Sequence, residues 1–273
     1  MINSMIPYYV VDAFTDRPFA GNPAGVVLLE EWKDNQWLQN VAMEVNLSET
    51  AFLVANDNGF DLRWFTPKAE VDLCGHATLA SAVVLAELRK LPDRSRVTFS
   101  TRSGALPVER DGSLFQMSFP ALPDVPCQAP PGLLEAFSEK ALYIGQSKFD
   151  FLIEFESEKA IRSVAPDFNV LANVKCRGVV VTARSDHRKF DFVSRFFAPA
   201  VGLDEDPVTG SAHCILGPYW GSRLDKSKMV GFQASSRGGV VHVELRGERV
   251  ILGGGGVVFA RGNIASSSGP EAE

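Results

Sequence analysis

Short apolar runs separated by turn residues fill most of this chain, and two stretches depart from that pattern by being apolar on every side. Residues 8–14 and 26–29 read as strands flanking a loop, 16–25, that is dense in Asp, Gly, Asn and Pro. From 34 to 45, Trp37, Leu38, Val41 and Ala42 recur at helical spacing, and 51–54 then resumes strand character. Glu49 therefore falls at a helix-to-strand junction. A strand at 61–65 leads through Pro67 to Gly75, after which 77–87 is almost wholly Ala, Leu, Val and Ser. Such a helix has few charged positions with which to meet water and belongs in the centre of its domain. Strands at 96–100, 106–110 and 114–119 complete the first half.

The second half follows the same scheme. A helix is predicted over 132–139, strands over 149–154, 179–182 and 190–197, and a second buried helix opens at Gly210. Strands at 240–245 and 250–252 precede the glycine run 253–256. That run leads into strand residues rather than opening a helix, so it is no dinucleotide-binding fingerprint. The proline-rich stretch 120–126, with Pro130 and Pro131 beyond it, is the best linker and sets a boundary between a domain at 1–120 and one at 121–273. A strand after about 257 is free to pack back on the first domain, and the polar tail 266–270 is predicted to be disordered.

One motif occurs in both halves. Arg63-Trp64-Phe65-Thr66-Pro67 runs on to Cys74-Gly75-His76-Ala77, and Arg195-Phe196-Phe197-Ala198-Pro199 runs on to Thr209-Gly210-Ser211-Ala212. Arg63 and Arg195 are 132 positions apart and Gly75 and Gly210 are 135 apart, so the second copy carries three extra residues between its ends. Two copies are too few for a solenoid, which needs about three repeats to bury a continuous core, and the spacing predicts a duplicated domain. The interface between two such halves is the expected ligand cleft.

Composition narrows the function. A chain of 273 residues, 45% hydrophobic and 22% charged, is long enough for two ordinary cores. Its net charge of −6 argues against a phosphate-backbone binder, so no nucleic-acid partner is expected. No apolar run approaches the roughly 20 residues that span a bilayer, and residues 1–7 lack a basic segment; no membrane partner and a cytoplasmic location are expected. Cys74, Cys127, Cys176 and Cys214 form no CxxC pair and have no zinc spacing, so no metal is expected and only Cys74 lies inside a motif.

Gly75 and Gly210 each begin a buried helix, where free N–H groups and the positive end of the helix dipole suit an anion. Each glycine would also serve a tight strand-to-helix turn without any ligand. Aligning the two copies sets the Cys74 thiol opposite the Thr209 hydroxyl and His76 opposite Ser211. A thiolate can act as a base where a threonine hydroxyl ordinarily does not, so the pair is poorly suited to symmetrical two-base epimerisation and suits one-base isomerisation better.

Four ordered segments, Val11-Asp12-Ala13-Phe14 through Gly21-Asn22-Pro23-Ala24-Gly25, Asn46-Leu47-Ser48-Glu49-Thr50, Cys74-Gly75-His76-Ala77-Thr78 and Asp206-Pro207-Val208-Thr209-Gly210-Ser211-Ala212, resemble the phenazine-biosynthesis isomerase-like proteins. The resemblance implies an α+β fold of the diaminopimelate epimerase type: two pseudo-symmetric domains, each a mixed, barrel-like sheet wrapped around a central buried helix. It also implies a cofactor-free site for a small carboxylate-bearing substrate, and a homodimer. By resemblance Glu49 is the base that shuttles a proton between two substrate carbons, while His76, Asp206 and Ser211 are the catalytic-site polar residues that hold the substrate. Cys74, Gly75, Thr209, Gly210 and Asn22 are the candidate substrate contacts, with the role of Asn22 open.

Taken without the family, Glu49 and Asp206 also fit a capping carboxylate and a turn residue, and His76 and Ser211 fit helix-cap positions. A base working near neutral pH is expected to have its pKa raised by burial, which Phe52, Leu53 and the adjoining helix could supply. Cys74 occupies the place of a catalytic thiol in the epimerase relatives and is the rival base. The alternatives are a thiol-using epimerase or dehydratase of an amino or hydroxy acid, and a binding protein that has lost the chemistry.

Overall fold

The computed structural model describes residues 5–265. The chain forms two compact units. The first takes residues up to Phe19, Pro23–Gln116 and the stretch from Gly255 on; the second takes Ala20–Asn22 and Met117–Gly254. The predicted tail at 266–270 lies outside the described residues.

The first unit contains β1 (Met5–Ala13), β2 (Asn22–Leu29), α1 (Asn35–Val45), β3 (Glu49–Asn56), β4 (Gly59–Phe65), β5 (Glu70–Val71), α2 (Gly75–Glu87), β6 (Arg96–Thr101) and β7 (Gly104–Asp111), with β8 (Leu114–Pro120) leading out of it. β2 and β3 are parallel, β3 and β4 antiparallel, β4 and β6 parallel, and β6 and β7 antiparallel. The second unit contains β9 (Val125–Pro126), β10 (Ala141–Gln146), β11 (Asp150–Phe155), α3 (Glu158–Ser163), α4 (Phe168–Leu171), β12 (Gly178–Arg184), β13 (Phe192–Ala198), β14 (Leu203–Glu205), α5 (Gly210–Leu224), β15 (Lys228–Gln233), β16 (Gly239–Arg246) and β17 (Arg249–Gly254). Here β11 and β12 are parallel, β12 and β13 antiparallel, β13 and β15 parallel, and β15 and β16 antiparallel. The two units thus run the same succession of pairings around one long helix each. The last strand, β18 (Gly256–Ala265), pairs antiparallel with β1.

The duplicated Arg-aromatic motif is a structural clamp. Arg63 on β4 grips Glu70 on β5 through Nε and Nη2, both at 2.7 Å, and stacks over Phe65; Arg195 on β13 grips Glu205 on β14 through the same two nitrogens at 2.7 and 2.9 Å, and stacks over Phe197. Such forks fix both partners in plane. The three extra residues of the second copy lie between Arg195 and Glu205, where a 3-10 turn at Pro199–Val201 lengthens the hairpin.

The helix entries follow from local chemistry. Asp34 caps α1 by accepting the Trp37 N–H, and Leu38 and Ala42 bury its apolar face with Val27, Phe52 and Phe65. Every residue of α2 from His76 to Leu85 is buried, including Thr78 and Ser81, whose hydroxyls donate to carbonyls four residues back. Pro218 inside α5 cannot donate to the Cys214 carbonyl, and the linker's Leu122 N–H takes that acceptor at 3.0 Å. The predicted helix at 132–139 forms turns instead. Its Ala136 carbonyl, which a helix would offer four residues on, accepts the Asp167 N–H at 2.9 Å. Leu133, Ala136 and Phe137 still enter the second unit's core.

Candidate active site

In the first unit, the parallel pairing of β2 with β3 sets Glu49, the first residue of β3, beside Ala24, with its side chain one-fifth exposed. The start of α2 supplies two more groups: Cys74 at the N-cap, in extended backbone and giving no side-chain cap, and His76 in the first turn. His76 Nε2 lies 3.1 Å from Glu49 Oε2, an ion-pair separation, and His76 Nδ1 faces Cys74 Sγ at 3.6 Å. The Cys74 sulfur, a His76 ring nitrogen and a Glu49 carboxylate oxygen all lie within 4.8 Å of one another. Thr78 donates to the Cys74 carbonyl at 2.6 Å, which fixes the peptide plane at the helix entry.

These contacts decide the protonation states. Burial by itself pushes Glu49 up, but the His76 charge and hydrogen bonds from His76 and Cys74 outweigh it and hold the carboxyl below its ordinary value. Burial presses His76 toward its neutral form, and the Cys74 sulfur and the Glu49 carboxylate against its ring override that and raise the imidazole well above its usual value. Burial and the Glu49 charge push the Cys74 thiol up. At neutral pH the trio is carboxylate, imidazolium and thiol. This corrects the expectation of a raised Glu49: the apolar surroundings act as foreseen, but a cation 3.1 Å away acts more strongly.

In the second unit, Asp206 accepts from Asn22 Nδ2 at 2.8 Å on one oxygen and from the Thr209 hydroxyl on the other. The other Asn22 amide hydrogen goes to the Val208 carbonyl at 3.0 Å. Arg237 donates to the Gly21 and Ala20 carbonyls, and Gly21 N–H to Gly238, so the 20–22 segment is stitched to this unit. Gln233, fully buried on β15, accepts the Thr209 N–H at 2.8 Å and donates to the Asp206 carbonyl at 2.8 Å and the Thr209 hydroxyl at 3.2 Å. His213 Nδ1 lies 2.9 Å from the Thr209 carbonyl, the position Thr78 fills for Cys74. Ser211 sits half-buried in the first turn of α5, in the place His76 takes in α2.

Glu49, Cys74 and His76 are thus brought together in one unit, and Asn22, Asp206, Thr209, Gly210 and Ser211 in the other. A model of the phenazine biosynthesis-like protein family matches residues 11–262. The chain belongs to that family. A Pseudomonas aeruginosa protein named an uncharacterized isomerase is 50% identical over 257 residues, spanning 94% of this chain and 97% of the relative. Another uncharacterized isomerase, from Halalkalibacterium halodurans, is 47% identical over 261 residues, 94% of this chain and 98% of its own. The crystal structure of a PhzF-family phenazine biosynthesis protein from Enterococcus faecalis superposes with a TM-score of 0.92 at 40% identity, covering 96% of this chain and 99% of that one.

Sequence reasoning about this family member missed Gln233, His213 and Thr78. A signal existed for the last two, since each is a polar residue four places after the helix-entry residue inside an otherwise apolar helix. Gln233 ends an ordinary strand and carries no local mark. Neither Gly75 nor Gly210 adopts a left-handed backbone, and a Cβ on Gly210 would meet only Leu252 Cδ1, at 3.8 Å. Neither turn geometry nor packing therefore demands glycine at 210. Among the described residues no helix is long and apolar enough to cross a membrane.

Proposed function

We propose that this protein is a cofactor-independent isomerase that moves a proton within a small carboxylate-bearing metabolite, with Glu49 as its single base. The observation that carries this is the Glu49–His76 contact at 3.1 Å. An ionised Glu49 accepts a carbon-bound proton, the imidazolium beside it balances the charge left on the substrate, and the resulting carboxylic acid returns the proton to a second carbon. Holding the Glu49 pKa down weakens the abstraction at about 1.36 kcal/mol per pH unit and strengthens the return by the same amount. Thr209 fits a one-base scheme, because its hydroxyl proton is committed to Asp206. Cys74, raised by burial and by Glu49, is a thiol rather than a thiolate at neutral pH and fits the role of partner to His76.

The substrate carboxylate is assigned to helix-entry N–H groups, where Gly210 leaves room beside the backbone. Asp206 and Ser211 are assigned to the substrate's polar groups. The test is deuterium incorporation from heavy water into a panel of small cyclic and acyclic carboxylates, comparing wild type with Glu49→Gln and Cys74→Ala. Glu49→Gln is expected to slow exchange by about 10²–10⁴ and Cys74→Ala to leave most of it. Exchange lost only in Cys74→Ala would transfer the base to the thiol and sink the proposal.

A further inference from the structure

We infer that Glu49, Cys74 and His76 form a binding site for a thiophilic divalent cation such as zinc, and that filling it shuts the protein off. Only the second half of this inference rests on the function proposed above; binding stands on the geometry. The trio offers one sulfur, one imidazole nitrogen and one carboxylate oxygen, the donor mixture that borderline-soft ions take and that magnesium or calcium does not. The three donor atoms all lie within 4.8 Å of one another. Cys74 Sγ and His76 Nδ1, 3.6 Å apart, match the roughly 3.5 Å between ligands set at about 2.3 and 2.0 Å from a tetrahedral ion.

The site is also built with unequal stiffness. Cys74 and His76 are set by the first turn of α2, whose entry carbonyl is pinned by Thr78. Glu49 comes from a different element and lies against the other ring nitrogen, Nε2, at 3.1 Å, so it completes the set by turning toward Nδ1, a movement its side-chain torsions supply. Three protein ligands leave a fourth position open, the pattern of a reactive rather than a structural zinc site. The exchange balances in charge and protons: a divalent ion displaces the thiol proton and the imidazolium proton, and binds thiolate, neutral imidazole and carboxylate. The occupied site holds no free carboxylate to act as base and no imidazolium beside it, so a bound ion and the proton-transfer reaction exclude each other.

Cobalt(II) is the probe, because a Co–thiolate bond gives a near-ultraviolet charge-transfer band and a tetrahedral site gives visible d–d bands. Wild type titrated with Co²⁺ is expected to develop both at one equivalent, and Zn²⁺ to abolish them and raise Tm, with no effect of Mg²⁺. Cys74→Ser is expected to lose the charge-transfer band, and Glu49→Gln and His76→Gln to weaken binding about tenfold or more. Cys127→Ser and Cys176→Ser, which alter half-buried thiols outside the trio, are expected to keep it. A wild type without the band at one equivalent overturns the inference, and so does a band that survives Cys74→Ser or vanishes with Cys127→Ser or Cys176→Ser. None of these readouts uses a substrate, so failure here and failure of the isomerase proposal are separately visible. Where exchange activity is found, Zn²⁺ is expected to suppress it reversibly on chelation.

Discussion

Acidifying this protein from pH 7 to pH 4 is expected to cost it stability through His213. The ring is fully buried, tilted against Phe192 at 5.9 Å, with Nδ1 2.9 Å from the Thr209 carbonyl. A carbonyl only accepts, so Nδ1 carries the hydrogen and Nε2 the lone pair, and Nε2 is buried with no hydrogen-bond partner among the described residues. Adding a second proton would bury a cation beside Phe192 and Gly231. Burial accordingly depresses the pKa to about 4. An unfolded histidine takes its proton near 6.5, so between about 6.5 and about 4 the unfolded chain binds more protons and stability falls with pH. At about 1.36 kcal/mol per pH unit, the loss reaches about 3 kcal/mol at pH 4. Denaturant unfolding of wild type and His213→Gln at pH 7, 5.5 and 4 isolates this residue from the carboxylates, which titrate in both proteins. The variant should be the less stable at pH 7 for want of the ring's packing and hydrogen bond, and the difference should shrink by about 3 kcal/mol by pH 4. A difference independent of pH would refute the assignment of a neutral, buried imidazole.

Three further substitutions probe the second unit. Gly210→Ala is expected to leave Tm unchanged or raise stability by about 0.5–1 kcal/mol, since a methyl there meets only Leu252 at 3.8 Å, while lowering exchange activity if a ligand approaches that N–H. Gln233→Leu strands the Thr209 N–H and the Asp206 carbonyl and is expected to lower stability by about 1–3 kcal/mol in denaturant melts. Gly231→Ala would place a Cβ 2.5 Å from the Phe192 ring, an overpacking expected to cost about 1–3 kcal/mol, visible as a lower thermal midpoint.

The two central helices were legible because no amphipathic period explains a run such as 77–87, and a segment apolar on all sides has only the interior of its unit to occupy. Strands such as β3 and β12 were legible from unbroken apolar or β-branched runs bounded by turn residues. The 132–139 segment misled for a definite reason. Leu133, Leu134, Ala136 and Phe137 have a helical spacing, but the Asp167 N–H competes for the carbonyl that the helix would need. Asp167 and Ser157 do cap helices, α4 and α3, which at four and six residues are too short to show a period.

The candidate chemistry divides in the same way. The order Cys74-Gly75-His76, the position of Glu49 at a strand entry and the duplication with Thr209-Gly210-Ser211 are properties of the chain itself, because adjacent residues at a helix start share one turn whatever surrounds them. That the duplicated arginines are clamps for Glu70 and Glu205 depended on hairpin pairing. That Glu49 meets His76, a residue 27 positions away, depended on how β3 and α2 pack, and so did the sign of its pKa. Local sequence determines which side chains a turn presents. Which charge lies 3 Å from which, and hence which protons are held, is settled only when distant segments fold together, because electrostatic influence depends on distance in space and not along the chain.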